Sequence, residues 1–151
     1  MNIIGHIRQR EILDRQIRLG VLSHAYLFSG LPHVGKRTVA EVFAKALLCQ
    51  KQTSKQSLTF CGTCPACTSF DARAHADVLF VESVDEKGET RSIGIEEIRR
   101  VRERISHSAF GGRSIVLLDD AGSMTREASN ALLKILEPPL SISVAFLKIF
   151  Q

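Results

Sequence analysis

The chain has 151 residues, of which 44% are hydrophobic and 24% are charged, and its formal net charge is +4. That length suits one domain with its own core, and that composition is ordinary for a globular protein. The sequence contains neither an apolar run of membrane-spanning length nor a signal-peptide core at its N-terminus, so we expect a cytoplasmic protein without membrane contact. The positive charge permits an acidic partner such as DNA but does not identify one.

The first predicted elements are a helix and a short strand that precede a glycine-rich loop. Residues 9–20 carry apolar side chains near helical spacing, and Gly20 should end this helix. Residues 25–29 then read as a short buried strand. Ile3 and Ile4 come before both elements, and they either shelter an adenine ring or simply pack on the core. The sequence leaves these two interpretations open.

A phosphate-binding loop is the strongest motif of the sequence. Residues 29–38 contain the pattern G-x-x-x-x-G-K, and a run of helix formers follows it. The predicted nucleotide-binding residues are Gly30, Gly35, Lys36, Arg37 and Thr38. Arg37 stands where a Ser or Thr normally holds Mg²⁺, and Thr38 is displaced by one residue. The sequence therefore predicts a phosphate pocket without its usual metal ligand, and it leaves open whether ATP and Mg²⁺ bind.

All the cysteines of the chain fall into one pattern with the spacing C-x₁₁-C-x₂-C-x₂-C. They are Cys49, Cys61, Cys64 and Cys67. Four thiolates at such spacing can turn onto one metal and complete a closed tetrahedral site, so we predict a structural zinc module at residues 49–70. An iron–sulfur cluster is the rival, because spacing does not name the metal. A disulfide is the weaker alternative in a cytoplasmic chain.

The second half of the sequence predicts two strands and a helix, with a pair of acids after the second strand. Strands are expected at residues 78–81 and 114–118, and the second of them runs directly into Asp119 and Asp120. Ligand sites gather at the carboxyl ends of parallel strands, so Asp119 is placed to hold Mg²⁺ as a Walker B acid does. The helix at residues 95–105 carries several arginines, for which a solvated face is the simpler interpretation and phosphate contact the alternative.

The last part of the sequence predicts one more helix and one more strand. Thr125 can cap a helix that ends before Pro138. Residues 140–151 are mostly apolar and can supply a further strand of the sheet.

Several of these motifs together resemble a known family. The matching segments are residues 24–30, 34–36, the cysteine pattern, residues 75–77, 117–121 and 130–139. In this order they are similar to the N-terminal AAA+ domain of bacterial clamp-loader subunits, the delta-prime and gamma/tau subunits of DNA polymerase III. The resemblance implies an α/β fold of the P-loop NTPase (AAA+) type: a parallel sheet flanked by helices, with a zinc module on an inserted arm. Residues 1–151 would form this domain.

The resemblance also implies a role in DNA replication. Members of this family help to open a ring-shaped sliding clamp and place it on primed DNA, together with the gamma/tau and delta subunits. Lid and collar domains complete these subunits but are not among the 151 residues, so we expect that this chain alone does not load clamps.

The pairs Lys36-Arg37 and Asp119-Asp120 resemble delta-prime, which often cannot hydrolyse ATP, more than gamma/tau. Hydrolysing relatives usually carry Glu at the position of Asp120. Asp119 and Asp120 are therefore Walker B positions without an assigned catalytic role, and at most a weak ATPase is expected. Two alternatives remain: a gamma/tau-type ATPase subunit, favoured by the intact loop glycines and lysine, and a P-loop DNA-binding module, favoured by the arginine-rich helix.

Overall fold

A computed structural model describes residues 3–51, 58–83, 89–106, 114–137 and 144–149 of the chain. These residues form a single sheet with helices on both of its faces. The elements are α1 (Ile7–Leu19), β1 (Ala25–Phe28), α2 (Lys36–Leu48), α3 (Pro65–Asp71), β2 (Val78–Val81), α4 (Ile95–Ser106), β3 (Ser114–Leu118), a 3₁₀ turn (Ala121–Ser123), α5 (Arg126–Leu136) and β4 (Val144–Ile149).

The described strands are all parallel and lie in the order β1-β4-β3-β2. Every residue of β3 is buried, which explains why this strand is a continuous apolar run after Ser114. The strand expected from residues 140–151 is β4, and it occupies the gap between β1 and β3. Residues 140–143 and 150–151 of that prediction lie outside the described part. The predicted α/β fold with a parallel sheet is confirmed.

The core is divided between the two faces of the sheet. Alternate residues of β3 point to opposite faces: Ile115 and Leu117 join one cluster, and Val116 and Leu118 join the other. The first cluster is completed by α1, α2 and α3, and Phe43 meets the ring of Tyr26 edge-on at 4.9 Å between centroids. Helices α4 and α5 complete the second cluster.

Helix ends follow local signals in the sequence. Gly20 ends α1 in the left-handed conformation, with φ 67°, as predicted. Thr125 caps α5, since its Oγ1 accepts a hydrogen bond from the backbone N–H of Ala128 at 3.2 Å. Helix α3 was not predicted; it begins with Pro65, a residue well suited to a first helical turn.

The apolar face predicted for α1 is only partly buried. Leu13 is 5% exposed, whereas Ile12 and Leu19 are 52% and 63% exposed. Helix α1 flanks β1, an edge strand among the described strands, so only one side of it meets the core. Ile4 is 93% exposed and does not join the described core, whereas Ile3 packs partly against the first cluster. Among the described residues, no helix combines the length and apolar character that crossing a membrane requires.

A candidate phosphate site and a candidate metal centre

The predicted phosphate loop connects β1 to α2 at the carboxyl end of the strand. Gly35 precedes the helix with φ 87°, a conformation that glycine adopts readily, and it lets the chain turn directly into α2. Lys36 is only 8% exposed, and its Nζ donates hydrogen bonds to the carbonyl oxygens of Gly30 at 3.0 Å and Leu31 at 2.6 Å. The lysine is thus held inside the loop, beside the backbone N–H groups of the first helical turn, where an anion is favoured.

A cavity of about 300 Å³ lies beside this loop, between α1 and β1. Its wall is mainly apolar and includes Leu13, Tyr26 and Val39, and Lys36 reaches it from the loop. The Nε2 atom of His6 donates to the carbonyl oxygen of Val34 at 2.5 Å, which joins the start of α1 to the loop. Neither Ile3 nor Ile4 lines this cavity, so the structure gives no support to an adenine shelter built from them.

Arg37 binds three carboxylates, one on its own helix and two that directly follow β2 and β3. Its Nη1 donates to Asp119 Oδ2 at 2.7 Å, its Nη2 to Glu82 Oε1 at 2.5 Å and its Nε to Glu41 Oε1 at 3.0 Å. Arg73 bridges two of the same acids, at 2.9 Å from Glu82 and 3.2 Å from Glu41. We call these five residues the arginine–carboxylate cluster.

The sheet register brings the acids of the cluster together. Glu82 follows β2 and Asp119 follows β3, and the last residues of these strands, Val81 and Leu118, are paired. The backbone N–H of Asp119 also donates to the carbonyl oxygen of Val81 at 2.9 Å. Both carboxylates therefore leave the same edge of the sheet, where the guanidinium of Arg37 meets them.

Two opposing effects act on the Arg37 guanidinium. Partial burial acts to lower its pKa, but the hydrogen bond to Glu41, the charges of Asp119 and Glu41 and the hydrogen bond to Glu82 together raise its pKa above the usual value. Arg37 is therefore a permanent cation, as arginine normally is. Its side chain is 41% exposed, so solvent screens these pairs in part.

The other predicted site residues differ in their surroundings. Thr38 directly follows Arg37 in the first turn of α2, and the residue is half-buried. Asp120 begins the 3₁₀ turn with φ 51°, and its carbonyl oxygen accepts a hydrogen bond from the Ser123 hydroxyl at 2.7 Å. Asp119 lines the small cleft beside Arg37, whereas Asp120 is not among the described residues that line it. The two Walker B positions are therefore not equivalent here.

The four predicted metal ligands come together in space. The sulfur atoms of Cys49, Cys61, Cys64 and Cys67 all lie within 4.8 Å of one another, and those of Cys61 and Cys67 are 4.0 Å apart. A tetrahedral ion with metal–sulfur bonds of about 2.3 Å requires sulfur–sulfur distances of roughly 3.8 Å. The four cysteines could thus bind one metal ion after only small adjustments.

Backbone groups favour the thiolate form of Cys61. The N–H groups of Thr63 and Cys64 donate to Cys61 Sγ at 3.4 and 3.3 Å, and these hydrogen bonds lower the pKa of Cys61 to about 6. The pKa of Cys64 is also lowered, because backbone hydrogen bonds outweigh its burial. Burial instead raises the pKa of Cys67 to about 12. A bound cation would offset that burial, since metal ligation requires the thiolate.

Helix α3 attaches the cysteine group to the main fold. The Nζ atom of Lys45, on α2, binds both carboxylate oxygens of Asp71 at 2.7 and 2.5 Å and lies 4.3 Å from the ring centroid of Phe60. The rings of Phe70 and Phe80 meet edge-on at 5.4 Å between centroids, which connects α3 to β2. The segment with the cysteines is therefore packed against the sheet domain.

Sequence reasoning missed three members of the arginine–carboxylate cluster: Glu41, Arg73 and Glu82. Two of them had recognisable signals. Glu41 is four residues after Arg37 on the same helix, a spacing that pairs opposite charges. Glu82 directly follows a predicted strand, just as Asp119 does. Arg73 follows the unpredicted helix α3, so its position could not be inferred.

The arginines of α4 do not join either site among the described residues. Arg99 pairs with Glu96 of its own helix, and Arg100 and Arg102 are exposed. This arrangement matches the solvated face expected for the helix.

Comparison with solved structures identifies a similar fold. The fold resembles the crystal structure of a DNA polymerase III gamma subunit-related protein from Thermotoga maritima, with a TM-score of 0.62 and 23% identity. That match covers 95% of this chain and 39% of the other chain. The two proteins therefore share an α/β fold with a parallel sheet.

The family follows from the sequence comparisons. The family model described as DNA polymerase III, delta subunit, matches residues 5–149, and the chain belongs to this family. The chain is 38% identical to the DNA polymerase III subunit delta′ of Pseudomonas aeruginosa over 83% of its length and 37% of the relative. It is 35% identical to the Escherichia coli delta′ subunit over 77% of its length and 33% of the relative.

The tau subunit of Escherichia coli is also similar, at 30% identity over 91% of this chain and 20% of the relative. Identity is thus higher to these two delta′ subunits than to this tau subunit, which confirms the predicted delta-prime type. The chain spans about a third of the length of the delta′ relatives that it matches.

Proposed function

We propose that this chain is the AAA+ domain of a delta-prime-type clamp-loader subunit that does not hydrolyse ATP. Residues 1–151 form the domain, and residues 49–70 form its metal module. The partners are the gamma/tau and delta subunits, and through them the sliding clamp and primed DNA. We place the protein in the cytoplasm, where DNA replication takes place in bacteria and where reduced cysteines persist.

The observation that carries the non-hydrolytic function is the ion pair between Arg37 and Asp119. Hydrolysis of a nucleotide in a P-loop site needs Mg²⁺, which is held by a hydroxyl after the loop lysine and by the Walker B acid. In this chain the hydroxyl position is an arginine, and its guanidinium lies 2.7 Å from the Walker B carboxylate. The residues present therefore do not fit a catalytic Mg²⁺ ion.

Binding of a phosphate group remains compatible with the loop. Its nucleotide-binding residues in this proposal are Gly30, Gly35, Lys36, Arg37 and Thr38. Lys36 is already buried beside the helix N-terminus. The adjacent cavity of about 300 Å³ is large enough for an organic ring. Nucleotide would then serve to order the loop and α1 without being consumed.

We further propose that the four cysteines hold structural zinc. Four sulfur ligands close the coordination sphere, so the ion stabilises the segment and leaves no position for a substrate. An iron–sulfur cluster uses the same ligand type and is the alternative that metal analysis distinguishes.

A pair of chimeras tests the clamp-loader function. In one, the described domain of this chain replaces the matching segment of the Escherichia coli delta′ subunit; in the other, it replaces the matching segment of the tau subunit. The delta′ chimera should assemble with the other subunits and load clamps on primed DNA, whereas the tau chimera should assemble without contributing ATP turnover. A folded delta′ chimera that fails to assemble would contradict the proposal. A tau chimera with normal turnover would favour a gamma/tau-type ATPase.

A further inference from the structure

We propose that the Arg37 guanidinium occupies the position of the divalent cation, so that this loop binds the phosphate chain of a nucleoside di- or triphosphate without a metal. The inference rests on the proposed function, because it concerns the same phosphate loop. The ligand is more specific than in the proposed function: it is the metal-free nucleotide, and Arg37 is the residue that selects it.

Arg37 lies at a position that normally contributes to metal binding. Its place in the sequence is that of one magnesium ligand, and its partner Asp119 is the other. The distance between Nη1 and Oδ2 is 2.7 Å, so the carboxylate that would face the metal faces a guanidinium instead. Glu82, at the end of the neighbouring strand, binds the same guanidinium at 2.5 Å. The positive charge is thus fixed at the carboxyl edge of the sheet.

The charge of the arginine–carboxylate cluster also favours this assignment. Three carboxylates and two guanidinium groups give the arginine–carboxylate cluster one net negative charge. Without Arg37 the same cluster would carry two negative charges, the amount that one divalent cation neutralises. Arg37 therefore replaces part of the charge that a metal would supply, and it does so at any pH at which proteins are studied.

Arg37 also has hydrogen-bonding capacity that the cluster does not use. A guanidinium has five N–H groups, and three of them donate to the carboxylates of Glu41, Glu82 and Asp119. The side chain is 41% exposed, so the acids of the cluster enclose it only in part. Arginine matches the geometry of phosphate oxygens well. A phosphate chain on the loop can therefore meet Lys36 and Arg37 together, without an intervening ion.

Manganese binding tests the position directly and needs no nucleotide. The zinc-loaded chain would be titrated with Mn²⁺ and followed by electron paramagnetic resonance, in three forms: wild type, Arg37→Thr and Arg73→Thr. The two variants change the cluster charge equally, but only the first exposes Asp119. Arg37→Thr should bind Mn²⁺ at least about tenfold more tightly than the other two forms. Equal binding in all three, or an equal gain in both variants, would overturn the inference.

Titration with ATP by calorimetry tests the consequence for the ligand. Wild type should bind ATP more tightly in magnesium-free buffer than in excess Mg²⁺, by about tenfold or more, because Mg²⁺ in solution binds ATP and so competes for the metal-free ligand. Arg37→Thr should bind ATP more weakly without Mg²⁺ and recover when Mg²⁺ is added. If the threonine variant does not fold, Arg37→Gln, which also removes the charge, carries the same expectations.

Two outcomes of the ATP titration would overturn the inference. One is wild-type binding that requires Mg²⁺; the other is no ATP binding under either condition. Neither outcome affects assembly of the delta′ chimera, so failure of metal-free binding and failure of the clamp-loader function remain distinguishable.

Discussion

Lys36 and Arg37 are adjacent in the sequence, but their side chains bind different partners. Lys36 donates to carbonyl oxygens of its own loop, so an incoming phosphate must take over these hydrogen bonds. Arg37 is fixed to acids that follow β2 and β3, and these contacts need not change on binding. The lysine is therefore the residue that should respond to a ligand, while the arginine keeps its position.

Replacement of the lysine gives the first prediction. Lys36→Ala should weaken ATP binding by about tenfold or more, since it removes the cation nearest to the loop. The fold should persist, because the helix and its apolar face remain. Calorimetry with ATP measures the effect, and Lys134→Ala, on an exposed part of α5, is the matched control. Equal affinity in both variants would exclude this loop as the binding site.

Single residues were predictable where the motif is contiguous. Gly30, Gly35 and Lys36 form one short pattern, and the cysteines form another, so their spacing alone indicated the chemistry. The role of Arg37 was not predictable, because its partner Asp119 is 82 residues away and only the strand register brings them together. The sequence therefore predicted the absence of a magnesium ligand but not the ion pair that replaces it.

At the scale of elements, α3 is the connection between the cysteine group and the sheet. It begins within the cysteine pattern and is followed by Arg73, whose guanidinium lies 4.2 Å from the ring centroid of Phe80. Lys45, on α2, forms an ion pair with Asp71, the last residue of α3. The helix was missed in the sequence because seven residues are too few to show a periodic pattern, whereas the longer α2, α4 and α5 were recognised.

Zinc content is the second prediction. The purified chain should contain about one zinc ion, bound by all four cysteines. Removal of the ion by a chelator should speed hydrogen exchange in residues 58–71, while residues 114–118 stay protected, because β3 belongs to the separate apolar core. Mass spectrometry measures both regions. Iron in place of zinc, or zinc far below one per chain, would reject the assignment.

The contact between Arg73 and Glu82 gives a third prediction. A double-mutant cycle with Arg73→Gln and Glu82→Gln should give a coupling free energy of at most about 1 kcal/mol. The reason is exposure: the two side chains are 41% and 37% exposed, so water screens the pair. Urea unfolding measures the four proteins. A coupling of several kcal/mol would show that the cluster is far more shielded than its exposure indicates.

At the scale of the whole molecule, the last strand joins two parts of the sheet. β4 pairs with β1, which leads into the phosphate loop, and with β3, which Asp119 directly follows. The last strand in the sequence therefore sets the relative position of the loop and the acid. A parallel sheet and its flanking helices were predictable from apolar strands alternating with helices, but the strand order was not, because periodicity does not reveal neighbours.

Hydrogen exchange tests this arrangement as the fourth prediction. Residues 144–149 should exchange about as slowly as residues 114–118, because both strands are interior to the described sheet and their N–H groups donate to neighbouring strands. Residues 89–92 provide the comparison, since they are exposed and lie outside the named helices and strands. Exchange of 144–149 as fast as that reference would contradict the position of β4.

A steady-state ATP hydrolysis assay of the isolated wild-type chain, with Mg²⁺ present, tests directly whether this domain hydrolyses ATP. Since Arg37 holds the Walker B carboxylate and no neighbouring subunit supplies an arginine finger, worth about 10³ or more in rate, turnover should equal the background given by Lys36→Ala. ATP hydrolysis by the double variant Arg37→Thr/Asp120→Glu should remain slow, because the arginine finger of a neighbouring subunit is still missing. Steady hydrolysis by the wild type that Lys36→Ala abolishes would contradict the account and assign the chain to the gamma/tau type.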